Sequence, residues 1–220
     1  MLQKSIVMLD FETTGLSPDM GDRITEVAAL RIVDGKVVER YVSLINCQVR
    51  IPSFITGLTG ITQAMVDGAP PVSRVVPDLL DFIGTDTLSA HNASFDEKFL
   101  RAEASRLGLS TGHQSLVCSL KLSRRVFPQL SSYKLGNLSG ELGIKFKSAA
   151  HRAESDAEVA AEVLIHIGRH IRTTYGIAAI DPELLVSVNK LAAAKVHQFL
   201  SSRAAPTAAV VPAAASSPAA

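Results

Sequence analysis

Apolar and polar positions alternate with two different periods along the chain, and the change of period separates strands from helices. Ile6-Val-Met-Leu-Asp-Phe11 is a short, largely buried strand, followed by a loop punctuated by Gly15, Pro18 and Gly21. Ile24 to Val33 and Lys36 to Ile45 are β-rich runs joined by Asp34-Gly35, a strong hairpin signal, so the first three strands are expected to form an antiparallel meander. After a loop containing Leu58-Thr-Gly-Ile61, Pro70-Pro71 opens a helix through about Ile83, with Val72, Val75, Val76, Leu79, Leu80 and Ile83 at helical spacing. Thr87 to Ala90 is a short strand, and Ser94 to Leu107 a helix ended by Gly108. Leu116 to Leu120 is a candidate fifth strand, with helices near 119–127 and 134–142.

Ala153 to about Tyr175 forms a long helix whose core stripe is Ala160, Leu164, Ile167 and Ile171. Glu183 to Leu200 is a further amphipathic helix carrying Leu184, Val188, Leu191 and Phe199. Strands first, then alternating helix and strand, imply a mixed sheet with helices against it, an α/β fold. From Ala204 onward almost every residue is Ala, Pro, Ser or Val, a composition that builds no core and predicts disorder. The chain therefore divides into a domain over 1–176, a helical extension over 177–202 and a tail over 203–220.

Composition narrows the picture modestly. Length suits one α/β domain with room for a tail, and 47% hydrophobic residues suffice for a full core. The net charge of +1 excludes a polybasic coat, so a nucleic-acid ligand would be held locally, by metal ions and a few donors. Cys47 and Cys118 lack any C-x-x-C spacing and read as buried thiols of a reducing compartment. The apolar run Ile6 to Leu9 is broken at once by Asp10 and Glu12, unlike a signal peptide, and no stretch approaches the roughly 20 apolar residues of a membrane span. A cytoplasmic protein without membrane contact is expected.

Three separated motifs carry the chemistry: Asp10-Phe-Glu12, His91-Asn-Ala-Ser-Phe-Asp96 and His151-Arg-Ala-Glu-Ser-Asp156. Two positions apart on a strand, Asp10 and Glu12 leave the same face roughly 7 Å apart, at about 3.4 Å per residue. Phe11 points the opposite way, into the core. Taken alone, Asp10-x-Glu12 is an ordinary pair of solvated acids, and Asp96 an ordinary partner of a helix N-terminus. Asp156, however, lies on the apolar face of Ala160, Val163 and Ile167, where an acid is costly without a counter-charge. His91 reads as a loop-ordering residue. His151, five residues before Asp156, has the wrong spacing for a second ligand on one helical face and suits a general base approaching from a loop. Four carboxylates converging within about 5 Å would repel by about 3 kcal/mol per pair at an effective dielectric near 20, which a fold tolerates only with cations among them. Oxygen-only ligands favour Mg²⁺ or Mn²⁺, two of which would clamp the attacking and leaving oxygens of a phosphate diester. Neutral His151 could accept the proton of an activated water near pH 7.

Asp10-Phe-Glu-Thr-Thr-Gly15, His91-Asn-Ala-Ser-Phe-Asp96 and His151-x-Ala-x-x-Asp156 resemble the three motifs of the DEDDh family of 3′→5′ exonucleases. Within that family the chain is similar to the epsilon-type proofreading branch of bacterial DNA polymerase III. The likeness covers roughly residues 4–175 and includes motif order, spacing and the Leu58-Thr-Gly-Ile61 loop. It implies a ribonuclease H-like fold, a five-stranded mixed sheet with its first three strands antiparallel. It also implies that Asp10 bridges two metal ions, that Glu12 and Asp156 hold the nucleophile-side ion, that Asp96 supports the second, and that His151 is the base. By the same likeness Thr13, Thr14 and Leu16 touch the 3′-terminal nucleotide, and Leu58, Thr59 and Phe95 help line the groove.

The implied activity is hydrolysis from a 3′ end of DNA, single-stranded or frayed, releasing nucleoside 5′-monophosphates in proofreading or repair. An exoribonuclease of the same family, resembling oligoribonuclease or the tRNA-trimming enzymes, is the alternative, because selection of the sugar depends on groove shape. A non-catalytic subunit would have lost an acid or the base, and all five are present. In epsilon subunits a segment beyond the catalytic domain docks to the polymerase. The amphipathic stretch 183–200 suits that role, although packing on its own domain is the more ordinary use of such a helix.

Overall fold

The computed structural model describes residues 5–146 and 150–204; the Ala/Pro-rich tail beyond 204 lies outside the described residues. Strands β1 (Ile6–Thr13), β2 (Ile24–Val33) and β3 (Lys36–Leu44) form the antiparallel meander. Asp34 and Gly35 both take positive φ, 50° and 71°, as a two-residue turn matched to strand twist requires. Strands β4 (Thr87–Ala90) and β5 (Leu116–Cys118) add in parallel on the other side of β1, giving the order β3-β2-β1-β4-β5.

Helices cover both faces of the sheet. Val7, Leu9 and Phe11 pack with Val27 and Ala29 against α3 (Val72–Ile83) and α4 (Ala93–Arg106). Ile6 and Met8 face the other way with Ala28, Leu30 and Ile32, toward α7 (Ala153–Tyr175). On that side the short helices α5 (Ser119–Val126) and α6 (Leu135–Glu141) complete the layer. Alanines 153, 157, 160 and 161, all fully buried, let the backbone of α7 approach the sheet closely.

The segment between β3 and α3, read from the sequence as a loop, contains two short helices, α1 (Ser53–Thr59) and α2 (Gln63–Asp67), over a small cluster of Cys47, Ile51, Ile55, Ile61 and Val66. Seven and five residues are too few for a hydrophobic period to register. Both cysteines are buried and free.

Beyond Tyr175 the single expected helix is two, α8 (Pro182–Lys190) and α9 (Ala193–Ser201), broken at Leu191 and Ala192. Leu-Ala-Ala-Ala-Lys is good helix-forming sequence, so propensity cannot explain the break. A tertiary contact accompanies it: Arg125 Nε donates to the Leu191 carbonyl at 2.8 Å. Leu184, Leu185, Val188, Val196 and Leu200 are buried in the α7-side core, so these helices pack on their own domain. Asn189 extends this docking to the sheet, its carboxamide accepting from Cys118 N at 2.6 Å and donating to Cys118 O at 3.2 Å. Among the described residues, no helix is long and apolar enough to cross a membrane.

Candidate active site

The α7-side face of β1 changes character along its length. Ile6 and Met8 belong to the core, and the next two residues of that face are Asp10 and Glu12. Opposite Asp10 across the ladder is Ala28, small enough to leave space, and opposite Glu12 is Glu26. Asp156, in the first turn of α7, comes down onto this patch. Asp10, Glu12 and Asp156 each present a carboxylate oxygen within 4.8 Å of the others, a donor set of the size and hardness that suits a divalent cation.

Asp96 joins them by a different route. Strand β4 pairs with β1 only through Met8, leaving Phe11 N–H without a ladder partner on that side. Asn92, with φ 82°, turns the chain from β4 into α4, and Asp96 Oδ1 accepts from Phe11 N at 3.2 Å. Its carboxylate is thus fixed to the backbone between Asp10 and Glu12, and the residue is only 4% exposed. The site sits where β1 and β4 diverge, with chain connections leaving in opposite directions, the usual place for a ligand in an open α/β sheet.

Burial raises all four acids, and neighbouring carboxylates add to it at Asp10, Glu12 and Asp96. Burial, then the charges of Asp96, Asp156, Glu12 and Glu26, holds Asp10 well above the carboxylate range. Burial, followed by Asp156 and Glu26, pushes Glu12 up to about 8, against the opposing charge of Arg152. Burial raises Asp96 to about 8 despite its backbone hydrogen bonds. Asp156 is raised by burial, with the His151 N–H and charge acting the other way. A carboxyl group with a raised folded-state pKa binds more protons folded than unfolded, so stability falls as pH climbs from its ordinary pKa toward the raised one. The metal-free protein is therefore expected to melt at a lower temperature at pH 8 than at pH 5. A difference of at least about 2–4 °C, the shift that 1 kcal/mol produces at this chain length, should disappear with saturating Mn²⁺. A flat metal-free profile by scanning calorimetry would mean that burial and neighbouring charges do not hold these acids up.

His151 precedes α7, is exposed and has φ 62°, while its backbone N–H donates to Asp156 Oδ1 at 3.3 Å. His91 ties loops together: Nδ1 meets Ser119 Oγ and Nε2 meets the Tyr133 carbonyl, both at 2.9 Å.

The six residues expected at the substrate fall into two groups. Leu16 and Leu58 stand out from the surface, 78% and 52% exposed, and Phe95 is partly buried against Phe99 with ring centroids 5.0 Å apart. Thr13, Thr14 and Thr59 are buried and their hydroxyls serve the loops. Thr13 Oγ1 donates to Gly15 O at 2.6 Å, Thr14 Oγ1 accepts from Arg23 N at 3.0 Å, and Thr59 Oγ1 donates to Ile55 O at 3.0 Å. Gly15 is required for close packing: a Cβ there would lie 2.4 Å from the Asp22 carboxylate, which accepts from Ser17 N at 2.9 Å. Glu103 anchors the same loop from α4, taking Arg23 Nε at 2.6 Å and Arg106 NH1 at 3.1 Å.

Sequence reasoning missed Glu26 and Arg152, which meet beside the acids. The available signal was a lone acid in the apolar run Ile24-Thr-Glu-Val-Ala-Ala-Leu30, a placement that is costly without a partner.

Comparison with known proteins adds an independent line. An exonuclease family model, RNase_T, matches residues 7–164. A DNA polymerase III PolC-type protein of Caldanaerobacter subterraneus subsp. tengcongensis is 40% identical over 164 residues, 74% of this chain but 12% of that protein. The DNA polymerase III subunit epsilon of Aquifex aeolicus is 32% identical over 177 residues, 80% of this chain and 87% of the subunit. Among solved structures, Exonuclease X in complex with 5′ overhanging duplex DNA superposes with a TM-score of 0.66 at 26% identity, over 84% of this chain and 99% of that one. The chain thus spans a small part of the PolC-type relative and most of the epsilon subunit.

Proposed function

Because the chain belongs to the RNase_T exonuclease family, we propose that it is a 3′→5′ exonuclease that shortens DNA one nucleotide at a time, as a proofreading or repair enzyme. The observation carrying this reading is the meeting of Asp10, Glu12 and Asp156 within 4.8 Å, with Asp96 pinned to the intervening backbone. These are hard oxygen donors with no sulfur or imidazole among them, a set that fits Mg²⁺ or Mn²⁺. Two such ions, when bound, supply Lewis-acid polarisation of the scissile phosphate and acidify the attacking water.

The residues of the chain do the rest. Asp10, Glu12 and Asp156 would hold the ions, Asp10 as the acid closest to all the others, with Asp96 supporting them from its hold on the Phe11 backbone. His151 takes the proton of the water as its oxygen bonds to phosphorus. The bond from phosphorus to the 3′ oxygen of the penultimate nucleotide breaks, and that oxygen takes a proton from solvent water, leaving a 3′-hydroxyl on the shortened strand and a free 5′-monophosphate. Exposed Leu16 and Leu58 present apolar surface to the terminal bases, and Phe95 stiffens the wall behind Asp96. The threonines at 13, 14 and 59 act through loop shape.

The polymerase III relatives support association with a polymerase as part of this role. The buried faces of α8 and α9 are already spent on the domain, so such a partner would engage other surfaces of the extension.

The test uses 5′-labelled single-stranded DNA and RNA of matched sequence, with Mg²⁺ and then Mn²⁺. A ladder shortening from the 3′ end, faster on DNA, is the expected result. Preferential loss of RNA would move the protein to RNA turnover or maturation, and release of labelled 5′ nucleotides would overturn the polarity.

A further inference from the structure

Glu26 lies directly across the ladder from Glu12 and is 3% exposed. A buried carboxylate whose charge bears on both Asp10 and Glu12 is costly unless it is well partnered. Its two oxygens are fully engaged. Arg152 Nε meets Oε1 at 3.2 Å and Oε2 at 3.0 Å, its NH2 reaches Oε1 at 2.5 Å, and Ala153 N donates to Oε2 at 2.9 Å. Arg152 is the residue at which α7 begins, and no side chain of its own segment caps that end. The cap comes from the sheet.

The position of this contact is what matters. Arg152 stands between His151 and the turn that carries Asp156, and its carbonyl accepts from Asp156 N at 3.0 Å. His151 N–H in turn holds Asp156 Oδ1. One fork therefore fixes the start of α7, the residue before it and the acid after it, all relative to the strand pair that carries Asp10 and Glu12. The same guanidinium sets a positive charge against Glu12.

We propose that Glu26 and Arg152 form a positioning pair for the reaction. They lock the first turn of α7 to β2, so that Asp156 and His151 meet Asp10 and Glu12 in one orientation. The proposal rests on the reading of the acids as metal ligands and His151 as the base. Neither member touches the reacting atoms in this scheme; both act through Asp156 and His151.

Arg152 is the better site to test, because its side chain is 40% exposed and truncation opens no core cavity. Arg152→Ala is expected to lower kcat on labelled single-stranded DNA about 10²-fold, the scale of a misplacement near 1 Å. KM should stay within about threefold, since the lost interaction concerns the reaction and not binding of the strand. Arg152→Lys keeps the charge but cannot reproduce the two-bonded fork. It should restore the melting temperature and leave kcat low. Glu26→Gln combined with Arg152→Ala should be little worse than Arg152→Ala alone, as expected of two groups that act as one unit.

Wild-type kcat in Arg152→Ala, assayed well below its melting temperature, overturns the proposal. Full recovery of kcat in Arg152→Lys overturns it too, leaving charge alone as the contribution. Mn²⁺ calorimetry on the wild type separates this from failure of the underlying reading. A wild type that binds no Mn²⁺ removes the metal site itself, whereas normal Mn²⁺ binding with an unaffected Arg152→Ala removes only the positioning role.

Discussion

Asp10→Ala is expected to abolish shortening of a 3′ end while leaving the protein folded and, without metal at pH 8, more heat-resistant than the wild type. Both effects have one cause. Asp10 sits at the centre of the acids, where burial and the charges of Asp96, Asp156, Glu12 and Glu26 all oppose its ionisation. Removing it relieves that repulsion and takes away a carboxylate of the proposed metal site. Its place on β1 is secured by backbone pairing with Ala28, which alanine retains. A labelled-oligonucleotide assay beside a thermal melt reads both effects. Substantial activity in the variant would sink the site assignment, and a lower metal-free melting temperature would sink the account of the repulsion.

The second large effect is expected at His151. Loss of a general base costs about 10²–10⁴ in rate, and His151→Ala should fall in that range. Metal affinity should survive, because the contact His151 makes with Asp156 uses its backbone N–H, which alanine also possesses. The left-handed φ of 62° is equally a property of the wild type and the variant, so the substitution adds no new backbone strain of that kind. Calorimetric titration with Mn²⁺ decides the point. A fall in affinity parallel to the fall in rate would make the imidazole a ligand.

Legibility in the sequence followed the chemistry. Asp10, Glu12, Asp96, His151 and Asp156 stood out because residue type and spacing together are rare by chance, and three of the acids do converge in space. The long helix at Ala153–Tyr175 was readable because its stripe of buried residues repeats over many turns. Glu26 was hidden because strand patterning registered Ile24 to Val33 as one β-rich run, and its partner is 126 residues away. Arg152 was hidden inside a motif as a position of no stated role. The division of 183–200 into α8 and α9 was invisible for a third reason: helix propensity is high across the break itself, Leu191 to Lys195, and the break coincides with a contact from Arg125. What could not be read was, in each case, a partner brought by the fold and not by the local sequence.

The bracket that Asn189 places on Cys118 also limits how copies of this chain can associate. A sheet edge with free N–H and C=O groups invites a strand from another molecule to pair with it. At the β5 edge only three residues are extended, and a carboxamide already satisfies both backbone groups of Cys118. A foreign strand is offered little to pair with there. Among the described residues, the longer free edge of the sheet is that of β3, nine residues, and there Lys36, Glu39 and Arg40 set charges in the way of a pairing strand.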